Sequence, residues 1–115
     1  MISEIVDKGW GYEEILVNTN LYCAKILHLN KDKMLSWHYH ELKDETFYVE
    51  NGSVILRYGW GDDIELSDHK ILHPGDTFNI PVGLRHRLIA LENSRVFEFS
   101  TQHFDSDSIR ILKGD

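Results

Sequence analysis

The 115-residue sequence predicts an all-β fold, a small antiparallel β-barrel or jelly roll. Three observations carry that expectation. Short runs rich in β-branched and aromatic residues recur along the chain, clusters of Gly, Pro, Asn and Asp punctuate them at near-regular spacing, and no segment has the length and apolar period of a helix. At this length the chain is expected to be a single domain, 1–115, with one core, and it shows no internal repeat.

The runs fall into order as follows. Gly9 and Gly11 flank Trp10 ahead of a first strand, the pattern of an edge strand whose indole plugs one end of the barrel. A turn at Asn18-Thr19-Asn20 leads to a strand over Leu21–Leu29. Both faces of that strand are largely apolar, so period alone leaves open whether Lys25 points into the barrel mouth or out to solvent. Met34 to Tyr39 is the next strand, with Met34, Ser36, His38 and His40 on one face and Leu35, Trp37 and Tyr39 on the other. Trp37 and Tyr39 then either meet a second copy of the chain or lie under the N-terminal segment. The polar run Glu41–Asp44 suits a turn, and the strand after it alternates Glu45, Phe47 and Val49 against Thr46, Tyr48 and Glu50.

Asn51-Gly52 is a tight-turn signal, which predicts that Ser53–Tyr58 returns antiparallel to the preceding strand. Gly59–Asp63 is a turn, Ile64–Leu66 and His69–Leu72 are expected as short strands, and a turn at His73–Asp76 precedes a strand at Thr77–Ile80. His69 and His73 are expected at the surface. Later strands are Leu88–Leu91 and Arg95–Thr101, joined by Glu92-Asn93-Ser94, and the tail ends in an edge strand docking Ile109 and Ile111.

Nineteen acidic residues against twelve basic ones give a net charge of −7 and leave no basic stripe, which argues against a nucleic-acid partner. No run approaches membrane-spanning length, and acidic residues interrupt the apolar ones at the start, so a membrane partner is not expected and a cytoplasmic location is. The single Cys23 cannot form an internal disulfide and reads as an inert buried thiol.

Chemistry concentrates in two segments. His38 and His40 leave the same face of a strand, and Glu45 returns beside them if the following turn closes a hairpin. A Pro81–Gly83 turn delivers His86 at the start of a later strand. Imidazoles with one carboxylate suit a divalent transition metal such as Zn, Fe(II), Mn, Ni or Co. A lone H-x-H is usually a solvated or structural pair; two segments of matching design make a site. Four protein ligands would leave positions open on a five- or six-coordinate cation, the mark of a reactive rather than a structural centre.

The segments read H-x-H-x4-E-x6-G and, from Gly75, G-x5-P-x-G-x2-H. Together they resemble the paired motifs of the cupin superfamily. The resemblance implies a metal in the barrel mouth held by His38, His40, Glu45 and His86, a small-molecule substrate and a homodimer. Two positions depart from the family pattern, which often has a Gly ahead of the first His and an Asn after the last; Lys31–Lys33 and Ala90 stand here. The run Trp10-Gly11-Tyr12-Glu13-Glu14 and the tail Asp105–Ile111 are similar to the corresponding parts of the cupin domain of type II mannose-6-phosphate isomerases. That likeness implies aldose–ketose isomerisation of a sugar phosphate, with Arg85, Arg87, Lys25 and Arg110 as candidates for the phosphate. Arg85 and Arg87 have opposite parity to His86 and should face away from the metal. For the catalytic groups the candidates are Lys25, Tyr48 and Arg110, with His28 a further placeholder for the base. The isomerase group commonly has Gln at the first ligand position, where this chain has His38. A three-His, one-Glu set is equally at home in an Fe(II)-dependent cupin dioxygenase, and a third reading is a cupin that binds a small ligand or sugar nucleotide without turnover.

Overall fold

A computed structural model describes residues 2–115. Among the described residues eleven strands form in chain order: β1 (Glu4–Lys8), β2 (Gly11–Asn18), β3 (Cys23–Leu29), β4 (Trp37–Tyr39), β5 (Glu45–Asn51), β6 (Val54–Gly59), β7 (Asp68–Leu72), β8 (Thr77–Ile80), β9 (Arg85–Ala90), β10 (Ser94–Ser100) and β11 (Ile109–Leu112). They make two antiparallel sheets, one of six strands in the order β1-β2-β3-β10-β5-β8 and one of five in the order β11-β4-β9-β6-β7. Two faced sheets that are not closed into a continuous barrel give the jelly-roll form of the predicted all-β class.

Alternation places one face of each strand inside. Leu27, Leu29, Phe47, Val49 and Val96 from the larger sheet meet Val54, Leu56, Leu72, Leu88 and Ala90 from the smaller one in a single apolar core. Trp10 joins this core from the turn between β1 and β2, where Gly11 takes a φ of +145° and passes so close to the His28 carbonyl that a Cβ has no room.

Three local expectations change. Asn51-Gly52 turns the chain as predicted, but β6 does not pair with β5. Gly52, at φ +86°, packs on the Asn93–Ser94 backbone, and Ser53 bonds to Ser94 Oγ and to the Leu91 amide. The chain therefore crosses to the other sheet, where β6 pairs with β7 and β9 while β5 pairs with β8 and β10. The polar turn Glu41–Asp44 likewise links sheets rather than closing a hairpin, since β4 and β5 belong to different ones. Ile64–Leu66 is a short 3-10 turn capped by the Asp63 carboxylate, not a strand.

Trp37 is completely buried, and its indole N–H donates to the Asp62 carbonyl at 2.8 Å. The Gly59–Asp63 loop thus meets it, neither a second copy nor the N-terminal segment. Ile109 and Ile111 are half-buried on the edge strand β11 beside β4, as the sequence implied.

Candidate metal centre

The smaller sheet supplies the histidines. His38 on β4 lies directly opposite His86 on β9, and His40 follows two residues after His38 on the same face. Their ligand nitrogens lie within 4.8 Å of one another and all three rings are buried. Backbone carbonyls fix their orientation: Nδ1 of His38 sits 2.9 Å from Ser36 O, that of His40 3.0 Å from Asp107 O, and that of His86 2.9 Å from Leu84 O. With each Nδ1–H donating outward, each Nε2 is left with its lone pair facing the interior, the tautomer a metal ligand needs. Burial, with His86 and His40 alongside, holds His38 well below the ordinary imidazole pKa, so it is neutral at neutral pH.

Glu45 arrives from the larger sheet. Its Oε1 lies 2.8 Å from His86 Nε2 and 3.6 Å from His40 Nε2. Two donors bound at about 2.1 Å to one cation stand roughly 3.0–3.4 Å apart, so these spacings suit a shared ion. Neither contact is aligned as a hydrogen bond: among the described residues His40 Nε2, His86 Nε2 and Glu45 Oε1 are buried without a hydrogen-bond partner, while Glu45 Oε2 is held by an ion pair with Lys43. Buried polar atoms are almost always satisfied, and three orphans converging from two sheets, His40 Nε2, His86 Nε2 and Glu45 Oε1, fit a divalent cation. Burial alone would raise the Glu45 carboxyl, but His86, His40 and Lys43 around it outweigh that and hold it well below the usual carboxylate range.

Behind the histidines the inner face of the larger sheet carries a row of ionised pairs. Lys43 Nζ reaches Glu45 Oε2 at 3.1 Å and Glu98 Oε2 at 3.0 Å, and donates to His103 Nδ1 at 3.2 Å. Burial opposes the Lys43 charge, yet Glu98 and Glu45 more than compensate and raise its pKa above the ordinary lysine value. One strand further, Lys25 Nζ donates to Glu13 Oε1 at 3.0 Å. Histidines and ion pairs share one cavity of about 640 Å³, with Trp10, Leu27 and Phe47 along its apolar part.

The structure therefore resolves the two orientations left open for Lys25: it is buried and faces the cavity. Arg110, opposite His38 across the β11–β4 pair, is exposed at the cavity edge. Tyr48 does not reach the site; it lies on the outer face of β5 with its ring 6.1 Å from Phe97. His28 is also outside, stacked on Tyr12 at 4.1 Å and paired with Glu14. Arg85 and Arg87 face away from the histidines: Arg85 lies over the Tyr39 ring and pairs with Asp62, while buried Arg87 donates to the Leu35 and Lys113 carbonyls. Burial pushes the Cys23 thiol pKa up, which leaves it inert.

Sequence reading missed Glu13, Lys43, Glu98, His103 and Asp107. The Asp107 carboxylate is buried and accepts the backbone N–H groups of Glu41, Leu42 and Lys43 at 2.9, 3.0 and 3.1 Å. It thereby moulds the link between the His40 and Glu45 strands.

Known proteins agree with this architecture. No curated protein matches the chain. Among solved structures, KdgF from Halomonas sp. superposes with a TM-score of 0.76 at 24% identity over 90% of this chain and 89% of that one. The capsular polysaccharide assembling protein CapF from Staphylococcus aureus gives 0.81 at 18% identity over 96% of this chain. Bacillus subtilis oxalate decarboxylase gives 0.79 at 19% over 94%. The chain spans 34% of that CapF chain and 30% of the decarboxylase chain, and at these identities the likeness is one of fold. The cupin domain profile matches residues 25–99, from Lys25 on β3 to Phe99 on β10 and across His38, His40 and His86, and the chain belongs to the cupin family.

Proposed function

We propose that this cupin is a divalent-metal aldose–ketose isomerase acting on a small sugar phosphate, with the cation held by His38, His40, Glu45 and His86. The observation that carries the reading is the row of buried ion pairs facing the histidines. A polyhydroxylated substrate finds donors and acceptors along Lys25, Glu13, Lys43 and Glu98, and a proton moving between adjacent carbons finds ionisable groups. Bound there, the cation would polarise a carbonyl and acidify the carbon beside it. Lys8, Arg110 and Lys113 line the same cavity and form no ion pair among the described residues, which suits them to a phosphate. Trp10, Leu27 and Phe47 exclude water from the apolar part. The CapF neighbour, a capsular polysaccharide assembling protein, agrees with a carbohydrate ligand.

The reading extends to a cytoplasmic homodimer. Ile5 and Phe99 are about half exposed on the outer face of the larger sheet, an apolar surface that a second copy would cover. Protein loaded with Zn, Mn or Co should interconvert mannose-6-phosphate and fructose-6-phosphate without oxygen. Failure to exchange the C2 proton of any aldose phosphate in D2O would overturn the assignment.

One observation favours a second reading. Three imidazoles and a single carboxylate also suit Fe(II), and an Fe(II)-loaded dioxygenase would consume O2 in a substrate-dependent manner. Tight binding of a sugar phosphate with neither activity would instead identify a binding module.

A further inference from the structure

We propose that Glu98 is the catalytic base that carries the proton between the two substrate carbons, and that Lys43 is its positioning residue. The inference rests on the isomerase reading and adds the group for which the sequence offered no motif.

Three buried or half-buried carboxylates face the cavity. Glu45 has both oxygens sealed from solvent and turned to His86, His40 and Lys43, so it offers no free edge to a substrate carbon. Glu13 lies on β2, three strands from β5 in the sheet order, or roughly 14 Å from the Glu45 strand at ordinary strand spacing. Glu98 lies on β10, the immediate neighbour of β5, and is 6% exposed. Its Oε2 is held by Lys43 Nζ at 3.0 Å, and the same ammonium touches Glu45 Oε2 at 3.1 Å. One lysine thus sets the distance between the putting-down point of the proton and the metal-facing carboxylate. Glu98 Oε1 accepts no hydrogen bond among the described residues and is not one of the sealed buried atoms, and the residue lines the cavity. One oxygen pinned and one facing the substrate space is the arrangement a carboxylate base requires.

The step balances without a co-reactant. Glu98 Oε1 takes the C2 proton, the C2–H electron pair becomes the C1–C2 double bond, and the carbonyl π pair moves onto O1 to give an enediolate. The O2 proton passes to O1, and the carboxylic acid returns its proton to C1, which leaves the ketose and restores the carboxylate.

Glu98→Gln tests the assignment in metal-loaded protein. C2-proton exchange and isomerisation should fall at least 100-fold, with metal content per chain unchanged. Affinity for a sugar-phosphate hydroxamate, a mimic of the planar enediol, should drop about tenfold more than affinity for the unreactive polyol phosphate. Glu98→Asp should restore part of the exchange with a shifted pH profile, and Glu13→Gln, which removes a substrate-binding group and not the base, should raise KM while kcat falls less than about tenfold. If Glu98→Gln and Glu98→Asp both melt below the assay temperature, C2-proton exchange is read below their melting midpoints beside wild type at the same temperature, where Lys43 keeps its pair with Glu45, and the same 100-fold difference is expected. An active wild type with equally active Glu98→Gln overturns the base assignment alone. A wild type inert toward every aldose phosphate overturns the isomerase reading and this inference with it.

Discussion

Asp107 offers the sharpest test of how the site is held. Its carboxylate accepts three backbone N–H groups of the turn between the His40 and Glu45 strands, and its own carbonyl accepts the His40 Nδ1–H. Asp107→Ala keeps the carbonyl and removes the three charge-assisted bonds. Each is worth about 1.5–3 kcal/mol when unreplaced. Glu41 and Leu42 are exposed, so water can take over there; Lys43 is buried, so its N–H cannot be rescued. The expected net loss is about 2–4 kcal/mol, and at about 2.1 cal/mol/K per residue it lowers the Tm of the metal-free protein by about 8–16 °C. Asp107→Asn, which keeps one oxygen for Glu41 and Leu42, should lose about half as much. Urea and thermal melts read the stability, and competition with a chelator reads metal affinity, which should fall about tenfold in Asp107→Ala as the link loosens. Melting within 3 °C of the wild type, with unchanged metal affinity, would refute the view that Asp107 shapes the turn.

Other outcomes follow from the same contacts. Lys43→Met strands two buried carboxylates and should destabilise the metal-free protein by about 3–5 kcal/mol, with Glu98→Gln in the same chain restoring part of it by chemical denaturation. His38 is held below its ordinary pKa, so below about pH 6.5 the unfolded chain binds a proton there that the folded chain does not. Metal-free stability should therefore fall on acidification from that pH, and His38→Gln should flatten the slope by up to about 1.4 kcal/mol per pH unit in equilibrium melts. Gly52→Ala, at φ +86° and against the Asn93–Ser94 backbone, should cost at least about 1 kcal/mol and leave the metal content unchanged.

Much of the strand rhythm was legible, because alternation and turn residues act locally. The spacing of His38, His40 and His86 was legible for the same reason: parity placed the first two on one face, and the Pro81–Gly83 turn fixed the start of the strand bearing the third. Which sheet a strand joins is a long-range matter. Asn51-Gly52 specifies a turn, but the packing of Gly52 on Asn93 and Ser94 sends the chain to the opposite sheet. On β10 the aromatic residues Phe97 and Phe99 look like the core face, yet Val96 and Glu98 face inward. A buried glutamate opposite two outward phenylalanines inverts the usual pattern, and only the long-range pair with Lys43 accounts for the burial of Glu98. Lys43 sits in a polar turn with no period to report its burial. Tyr48, by contrast, was a catalytic candidate in the sequence although the alternation that puts Glu45 inward puts Tyr48 on the outer face, where the structure has it against Phe97.

The central claim is that one divalent cation joins the two sheets at His38, His40, Glu45 and His86. Anomalous diffraction from crystals of zinc-loaded protein, recorded on both sides of the metal edge, tests it directly. The account predicts a single strong peak per chain about 2.0–2.2 Å from three imidazole nitrogens and a Glu45 oxygen, absent in His86→Ala crystals. A peak elsewhere, or one that survives the loss of His86 at full strength, would contradict it.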